Sequence, residues 1–251
     1  MIPLFCCQLN EMKTKILLIA LFLAGVANAQ QGWFLGVEAG YATDRYRFAD
    51  PGGRLNADPF FSGHYGVVAH KRLPHHFYVE AGIGLKPYLF GISFRDAGAS
   101  TLSGYRTCQV PLRIGYRLPL VRDRLSLLPV AGYTFSFVVA GDDLFSAEGD
   151  AGYTGTDAIH YSYTARFPTK TFSLLQAGIA AEVRLFRTSF LGLSYSYLAG
   201  TEKIFVQDIS YIVNSGAKQN AQAYTSGGYT SAGISLKIPL QKNKPVVVVR
   251  D

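Results

Sequence analysis

His160 and Ser162 stand two residues apart, and His64 and His70 six apart; these four side chains are the first places to look for chemistry. A serine becomes a nucleophile only when a histidine base lies within hydrogen-bond reach and an acid orients that base. The spacing around His160 specifies no such acid. His64 and His70 share one face of an alternating stretch, but two imidazoles do not complete a zinc site. Asp142, Asp143, Glu148 and Asp150 gather carboxylates without the spacing of an EF-hand calcium loop, so they read as an acidic solvated loop. The expectation is therefore no catalytic residue, no metal site and no cofactor.

A second set of charges offers a different chemistry. Glu38, Glu80, Lys86, Arg113, Arg117, Glu182 and Lys237 each fall on the polar side of a stretch whose other side is apolar. In Phe77 to Leu89 the residues Phe77, Val79, Ala81, Ile83, Leu85, Pro87 and Leu89 alternate with Tyr78, Glu80, Gly82, Gly84, Lys86 and Tyr88. Period two marks a strand with two differently solvated faces. Such a strand suits a wall between lipid and a polar interior. Charges enclosed behind that wall must pair, because an isolated buried ion is very costly. Hairpin register puts Glu80 near Arg113 or Arg117, and closure of the sheet puts Glu38 near Lys237.

Stretches of this kind recur at about 33–46, 60–71, 77–89, 104–118, 125–139, 171–186, 190–205 and 224–240, eight in all. Short turns at 72–76, 120–124 and 186–189 alternate with longer segments, of which 141–168 and 207–223 read as loops. An even number of strands lets a meander close on itself, which removes edges that lipid could not satisfy. The expected fold is all-β: an eight-stranded antiparallel up-and-down transmembrane β-barrel, with short turns in the periplasm and long loops outside. Pro87, Pro111 and Pro129 fall within these strands, where proline forfeits a ladder hydrogen bond, and they predict bulges or strand ends. Tyr153, Tyr161 and Tyr163 in the longest loop are candidate contacts for a partner.

The N-terminus reads as an export signal. Met12 to Lys15 is basic, Ile16 to Val26 is apolar, and Ala27-Asn28-Ala29 is a small-x-small cleavage site. The division is 1–29 as upstream extension and signal peptide, 30–241 as the barrel and 242–251 as a tail, with cleavage near Ala29 and the outer membrane as destination. No stretch is long and apolar enough for a transmembrane helix in the mature chain. Cys108 would be its only cysteine, so no internal disulfide can form. The formal charge of +7 concentrates at the short turns, while acids gather between 142 and 157. Export and the absence of a recognition motif argue against nucleic acid as a partner.

Tyr105-Arg-Thr-Cys-Gln-Val-Pro-Leu-Arg-Ile-Gly-Tyr116-Arg117 resembles the x-Pro-Leu-x-x-x-Tyr-[Arg/Lys] strand of PorT-like outer-membrane β-barrel proteins of the Bacteroidetes type. Phe172 to Leu198 is similar to the late hairpin of that family, with its Gly-Leu-x-Tyr-x-Tyr strand. The resemblance spans most of the mature chain. It implies an exported barrel and, in one branch, a role in protein secretion. The chain departs from the pattern at its end, where Gln241 to Asp251 follows the last strand in place of a terminal aromatic.

A barrel of eight strands is filled by its own side chains or holds one small ligand, so a polar plug is expected over a gated conduit. The function expected is that of a small non-enzymatic outer-membrane barrel with a structural or interaction role through long external loops. Its partners would be outer-membrane lipid, the insertion machinery and a protein met by the loops. Two alternatives stand beside it. An outer-membrane lipid-modifying enzyme would need His160 or His64 beside a serine at the lipid boundary; a soluble periplasmic lipocalin-like carrier would turn the apolar face inward.

Overall fold

Alternation of apolar and polar residues along the chain produces strands with almost no helix between them. The computed structural model describes residues 32–56, 61–94, 97–121, 124–140, 144–151, 158–185 and 188–240. In chain order the strands are β1 (Trp33–Asp44), β2 (Arg47–Ala49), β3 (Leu55–Asn56), β4 (Phe61–Arg72), β5 (Phe77–Phe94), β6 (Ala97–Tyr116), β7 (Leu118–Val121) and β8 (Leu125–Ala140). They continue as β9 (Leu144–Ala151), β10 (Ile159–Arg166), β11 (Thr171–Leu185), β12 (Ser189–Gly200), β13 (Phe205–Val213), β14 (Gln219–Thr225) and β15 (Tyr229–Pro239). The expected signal peptide, Arg122, Asp142, Asp143, Tyr153 and the expected C-terminal tail lie outside the described residues.

Eight strands close a barrel in the order β1-β4-β5-β6-β8-β11-β12-β15, all antiparallel. The seam is an unbroken ladder from Phe34 opposite Pro239 to Asp44 opposite Tyr229. The expected eight-stranded meander is thus the observed one. Its tightest described connection is the single 3-10 turn Pro74–His76, where His75 and His76 take left-handed backbone angles of 56° and 65°.

Side chains on the outer wall are apolar and uncovered. Val37, Leu112 and Leu193 are 54%, 54% and 63% exposed, and Ile83, Ile114 and Ile234 share this surface. The inner wall carries Glu80, Lys86, Gln109, Gln176, Glu182 and Lys237, all buried. A lipocalin-like carrier requires the opposite arrangement, and the polar lumen leaves a cavity of only about 80 Å³. Among the described residues no helix is long and apolar enough to cross a membrane, which bears on helices alone.

The prolines do not produce the expected bulges. Pro87 faces Arg106, Pro111 faces Thr134 and Pro129 faces Ile179 within continuous ladders. Pairing of β5 with β6 skips from Ala81–Leu112 to Gly84–Gln109 around Pro111 and resumes in the same register. Each proline forfeits one donor, and the pairing on either side of it keeps its register. The register shifts fall between Ser93 and Phe94, between Arg106 and Thr107, and between Pro119 and Val121.

The larger correction concerns the two segments expected as loops. Residues 144–151, 159–166, 205–213 and 219–225 are strands, and with β2 they form a second sheet in the order β2-β14-β13-β10-β9. Three connections on one end of the barrel therefore join edge to edge. The fourth, between β5 and β6, rises as a long hairpin, since those strands run 18 and 20 residues against 12 for β1 and β4. The second sheet lays its apolar face on this hairpin.

Candidate functional site

Inside the barrel the charges meet in one network. Arg113 donates to both carboxylate oxygens of Glu38 at 2.8 and 3.1 Å, to Glu80 at 2.6 Å and to the Gln176 side-chain carbonyl at 3.1 Å. Lys237 donates to Glu182 at 2.7 Å and lies 3.1 Å from Glu80, which also meets His70 at 3.4 Å. Gln176 passes the chain on to Ser196 at 3.0 Å. Seven of the eight barrel strands contribute, and β8 alone does not.

The register explains which expected pairs form. Glu80 lies directly opposite Arg113, so that ion pair is short. Glu38 does not reach Lys237: the seam places Gly36 opposite Lys237 and Ser235 opposite Glu38. The forked guanidinium of Arg113 takes Glu38 instead, because one Arg can serve two carboxylates in its plane. Arg117 sits apart from this network, at the turn end of the barrel, with its guanidinium carbon 5.8 Å from the Phe190 ring centroid.

Lys86 belongs to a separate layer nearer the second sheet. It is fully buried and donates to Asp44, which the sequence did not single out, to Ser62 at 3.0 Å and to the Pro87 carbonyl at 3.1 Å. Its ammonium lies 3.7 Å from the Tyr88 ring centroid and 4.7 Å from that of Tyr229. The Tyr88 hydroxyl donates to the Gly227 carbonyl, and the Tyr229 hydroxyl to Gln109, both at 2.8 Å. An ion pair boxed by aromatics closes the lumen here.

Above it lies a dry aromatic core. Phe90 and Phe94 of the long hairpin, Tyr161 and Tyr163 of β10, Phe205, Ile209 and Tyr211 around β13, and Ala221 and Ala223 of β14 are all buried together. Phe90 and Phe205 have ring centroids 4.1 Å apart, and Phe94 contacts both Tyr161 and Tyr211. Tyr161 and Tyr163 are thus core residues, 6% exposed each, and not loop contacts. On β10 the set Ile159, Tyr161, Tyr163, Ala165 is buried while His160, Thr164 and Arg166 look outward. That period-two alternation was present in the sequence and would have revealed the strand.

The outward face of the second sheet is polar and paired. Register aligns Glu148, Ser162, Ser210 and Asn220 in one cross-strand row, and Thr164, Asp208 and Gln222 in the next. Ser210 bonds Asn220 at 2.9 Å, Gln222 donates to Asp208 at 2.8 Å, and Arg166 pairs with Asp208 at 2.8 Å. His160 takes Asp150 as its partner at 2.7 Å, with both side chains largely in solvent. The acid that spacing did not specify is therefore on the neighbouring strand, while Ser162 stands in the row beside Glu148 and Ser210.

At the margin of this sheet the Asp50 carboxylate caps a turn. It accepts from the backbone N–H groups of Gly52, Arg54 and Leu55 at 3.1, 2.7 and 2.8 Å and from the Tyr211 hydroxyl at 2.7 Å. Burial pushes the Asp50 carboxyl up, but these donors outweigh it and hold it below the usual carboxylate value. The Tyr211 phenol is pushed up to about 12, by burial first and then by its bond to Asp50. Among the described residues no group of histidine, cysteine and carboxylate side chains is arranged to hold a metal ion.

No family model matches the chain, and no curated protein matches it either. Solved structures do resemble it. The outer membrane protein OprG from Pseudomonas aeruginosa shares 10% identity over 82% of this chain and 96% of that one, with a TM-score of 0.48. Neisserial surface protein A shares 11% over 83% and 98%, with a TM-score of 0.43. A major outer membrane protein from Thermus thermophilus shares 15% over 83% and 99%, with a TM-score of 0.41. At such identities and scores these likenesses carry no weight for function.

Proposed function

We propose that the chain is an outer-membrane β-barrel without enzymatic activity, in which the barrel is an anchor and the second sheet is an external platform for a protein partner. The membrane part rests on the two walls. An uncovered apolar exterior around a charged, internally paired lumen is stable in lipid and unfavourable in water. The platform part rests on one observation: three connections condense into a single sheet whose inner face is a buried aromatic core and whose outer face is an ordered array of polar side chains. Disordered loops would lose entropy on binding, whereas a preformed face does not. The lumen is filled at two levels, by the Arg113–Lys237 network and by the Lys86–Asp44 layer, which favours a plug over a conduit.

Two measurements test this. Ser162→Cys in a Cys108→Ser background should react with a membrane-impermeant maleimide on intact cells, and the protein should migrate differently on gels with and without boiling. Recovery in the soluble fraction with no mobility change would mean that the two faces are reversed. Replacing Ser162, Ser210 and Asn220 with arginine should remove the cellular function that deletion removes, with the heat-dependent mobility change intact; full complementation by that variant would dismiss the outer face as the site. The PorT-like resemblance adds protein secretion as the setting. An unchanged set of exported proteins in a deletion strain would remove that part alone.

A further inference from the structure

The outer wall of the barrel changes character in steps along β1. Leu35, Val37 and Ala39 face outward, then Tyr41, then Thr43, and beyond the strand come Arg45 and Arg47. Tyr41 is 74% exposed, and Phe61 and Tyr65 of β4 and Tyr195 and Tyr197 of β12 are exposed beside it in adjacent cross-strand rows. Aromatics gathered at the end of an apolar wall mark the level of lipid headgroups. Arg45 and Arg47 stand at and beyond that level. Tyr46 and Phe48, which alternate with them, pack against the aromatic core, so the two arginines look away from it. Lys203 joins them through Thr225, whose hydroxyl donates to the Arg45 carbonyl at 2.6 Å and whose carbonyl accepts from the Ile204 N–H at 3.0 Å. The Lys203 ammonium lies 4.1 Å from the ring centroid of Tyr224, the ladder partner of Arg47, and the Arg45 guanidinium carbon 3.8 Å from that of Tyr197. Rings attract cations without neutralising them. None of the three forms an ion pair among the described residues: Asp44 is buried against Lys86, Asp208 is paired with Arg166, and Glu202 is the one exposed carboxylate beside them.

Below these cations the wall holds a groove of about 710 Å³, lined by Ala39, Tyr41, Gly63, Tyr65, Leu193 and Ala232 among others. Tyr41 stands between Gly63 and Ala232, its partners on the two neighbouring strands, so small residues leave open space on either side of its ring. Four residues of extended chain, about 13 Å at the rise of a strand, separate Tyr41 from Arg45. We propose that this sector of the wall binds a phosphorylated membrane lipid, with an acyl chain in the groove and the phosphate among Arg45, Arg47 and Lys203. Guanidinium forks match phosphate oxygens two at a time, and the ammonium adds a point charge. Within a bilayer an acyl chain is held by close packing, which an open groove offers and a smooth wall does not. The groove also fixes the source of the phosphate. A free phosphate ion would leave it empty, and a lipid without phosphate would leave the cations unmatched. The site rests on the reading of the barrel as membrane-spanning and adds a class of lipid to it.

The test uses the full chain in a non-ionic, phosphate-free detergent, with dioleoylphosphatidylglycerol and dioleoylglycerol as probes that share their acyl chains. Native mass spectrometry should show one phospholipid bound per chain, about tenfold or more tighter than the diacylglycerol. Arg45→Gln with Lys203→Gln should weaken phospholipid binding about thirtyfold, the effect of two cations facing an anionic headgroup, and leave diacylglycerol binding as it was. Lys218→Gln removes an exposed cation just before β14 and should change neither. Gly63→Leu fills the groove from a position whose Cβ meets only the Gly40 carbonyl oxygen, at 3.9 Å, and should weaken both lipids. Heat-dependent gel mobility reports that each barrel is intact; should the double variant lose it, Lys203→Gln alone takes its place, with a loss of about fivefold. Equal binding of the two lipids by an intact barrel overturns the site alone, as does phospholipid binding that neither the charge variant nor Gly63→Leu weakens. A dimer in place of the lipid adduct assigns the groove to a second copy of this chain and overturns it too. A parent protein without the mobility change overturns the membrane reading, and the site with it.

Discussion

Lys237→Met removes one of the two cations that hold the lumen network together. Lys237 is 2.7 Å from Glu182 and 3.1 Å from Glu80, and Glu182 is only 3% exposed. Glu80 keeps Arg113 at 2.6 Å after the substitution, so the unsupported charge is that of Glu182. Breaking a buried pair from one side costs about 3–5 kcal/mol, most of it for the charge left behind. Adding Glu182→Gln removes that charge, and the double variant should lose about 1–2 kcal/mol, the value of the hydrogen bonds gone. Because the two residues act through each other, the double loss should fall short of the summed single losses by at least about 1 kcal/mol. Urea unfolding in detergent micelles gives the free energies, followed by the fluorescence of Trp33, the chain's single tryptophan, at the start of β1. A single-variant loss under about 1 kcal/mol, or strict additivity, would refute the reading of this network as a set of mutually dependent buried ions.

Three further outcomes follow from the same geometry. Phe205→Ala empties a fully buried position whose ring packs at a tilt against Phe90 and should cost the second sheet about 3–5 kcal/mol; proteolysis should then cut the sheet while the barrel keeps its heat-dependent mobility, and loss of both together would mean one cooperative unit. Asp50 titrates below its ordinary value of 3.8 in the fold, so its stabilisation is present above that value and lost as pH falls through the lowered one; Tyr211 is raised from 10.0 to about 12, so its contribution is complete below 10.0 and lost as pH rises towards 12. Amide exchange at Gly52, Arg54 and Leu55 should accelerate at both extremes, and Asp50→Asn should flatten the acid edge; a flat acid edge in the parent protein would contradict the capping role. Gly40→Ala places a Cβ 2.3 Å from the Ala232 carbonyl oxygen and 2.7 Å from the Gly233 Cα at the seam, for a loss of about 1–3 kcal/mol, whereas Gly63→Ala meets nothing closer than 3.9 Å and should be silent. Equal unfolding midpoints for the two would show that the seam has more room than the register implies.

The barrel was legible because its physics is local. A strand exposed to lipid on one side and to a polar lumen on the other must alternate, and Phe77 to Leu89 announces this in thirteen residues. Cross-strand pairing was legible where hairpin register fixed it, as for Glu80 and Arg113, and failed where it depended on the closing seam, as for Glu38 and Lys237. Shear sets that register, and shear is a property of the whole barrel. The second sheet was missed for a related reason. β9, β10, β13 and β14 are only 7–9 residues long, and although β10 alternates cleanly, β9 and β14 are rich in Ser, Gly, Asp, Asn and Gln. Such composition reads as loop until the partner strands, from other connections, supply the ladder and the core. Asp44 was overlooked because it ends β1, and only the fold shows that it meets Lys86 across 42 residues.

The unequal strand lengths connect these two halves of the molecule. β5 and β6 continue well past the height at which β1, β4, β12 and β15 stop, so one side of the barrel stands as a wall above the rest. A wall presenting Tyr88, Phe90 and Phe94 cannot face water without cost, and the second sheet covers it with Tyr161, Phe205, Ile209 and Tyr211. The apolar face of that sheet thus has its partner within the same chain. What remains for solvent is the paired polar face, which no element of the barrel needs for its own stability. Residues such as Ser162, Ser210 and Asn220 are then free of the demands of folding, while the core beneath holds them in fixed register. That separation, a face relieved of structural duty on a scaffold that cannot move it, is the physical basis for placing recognition there and not in the filled lumen.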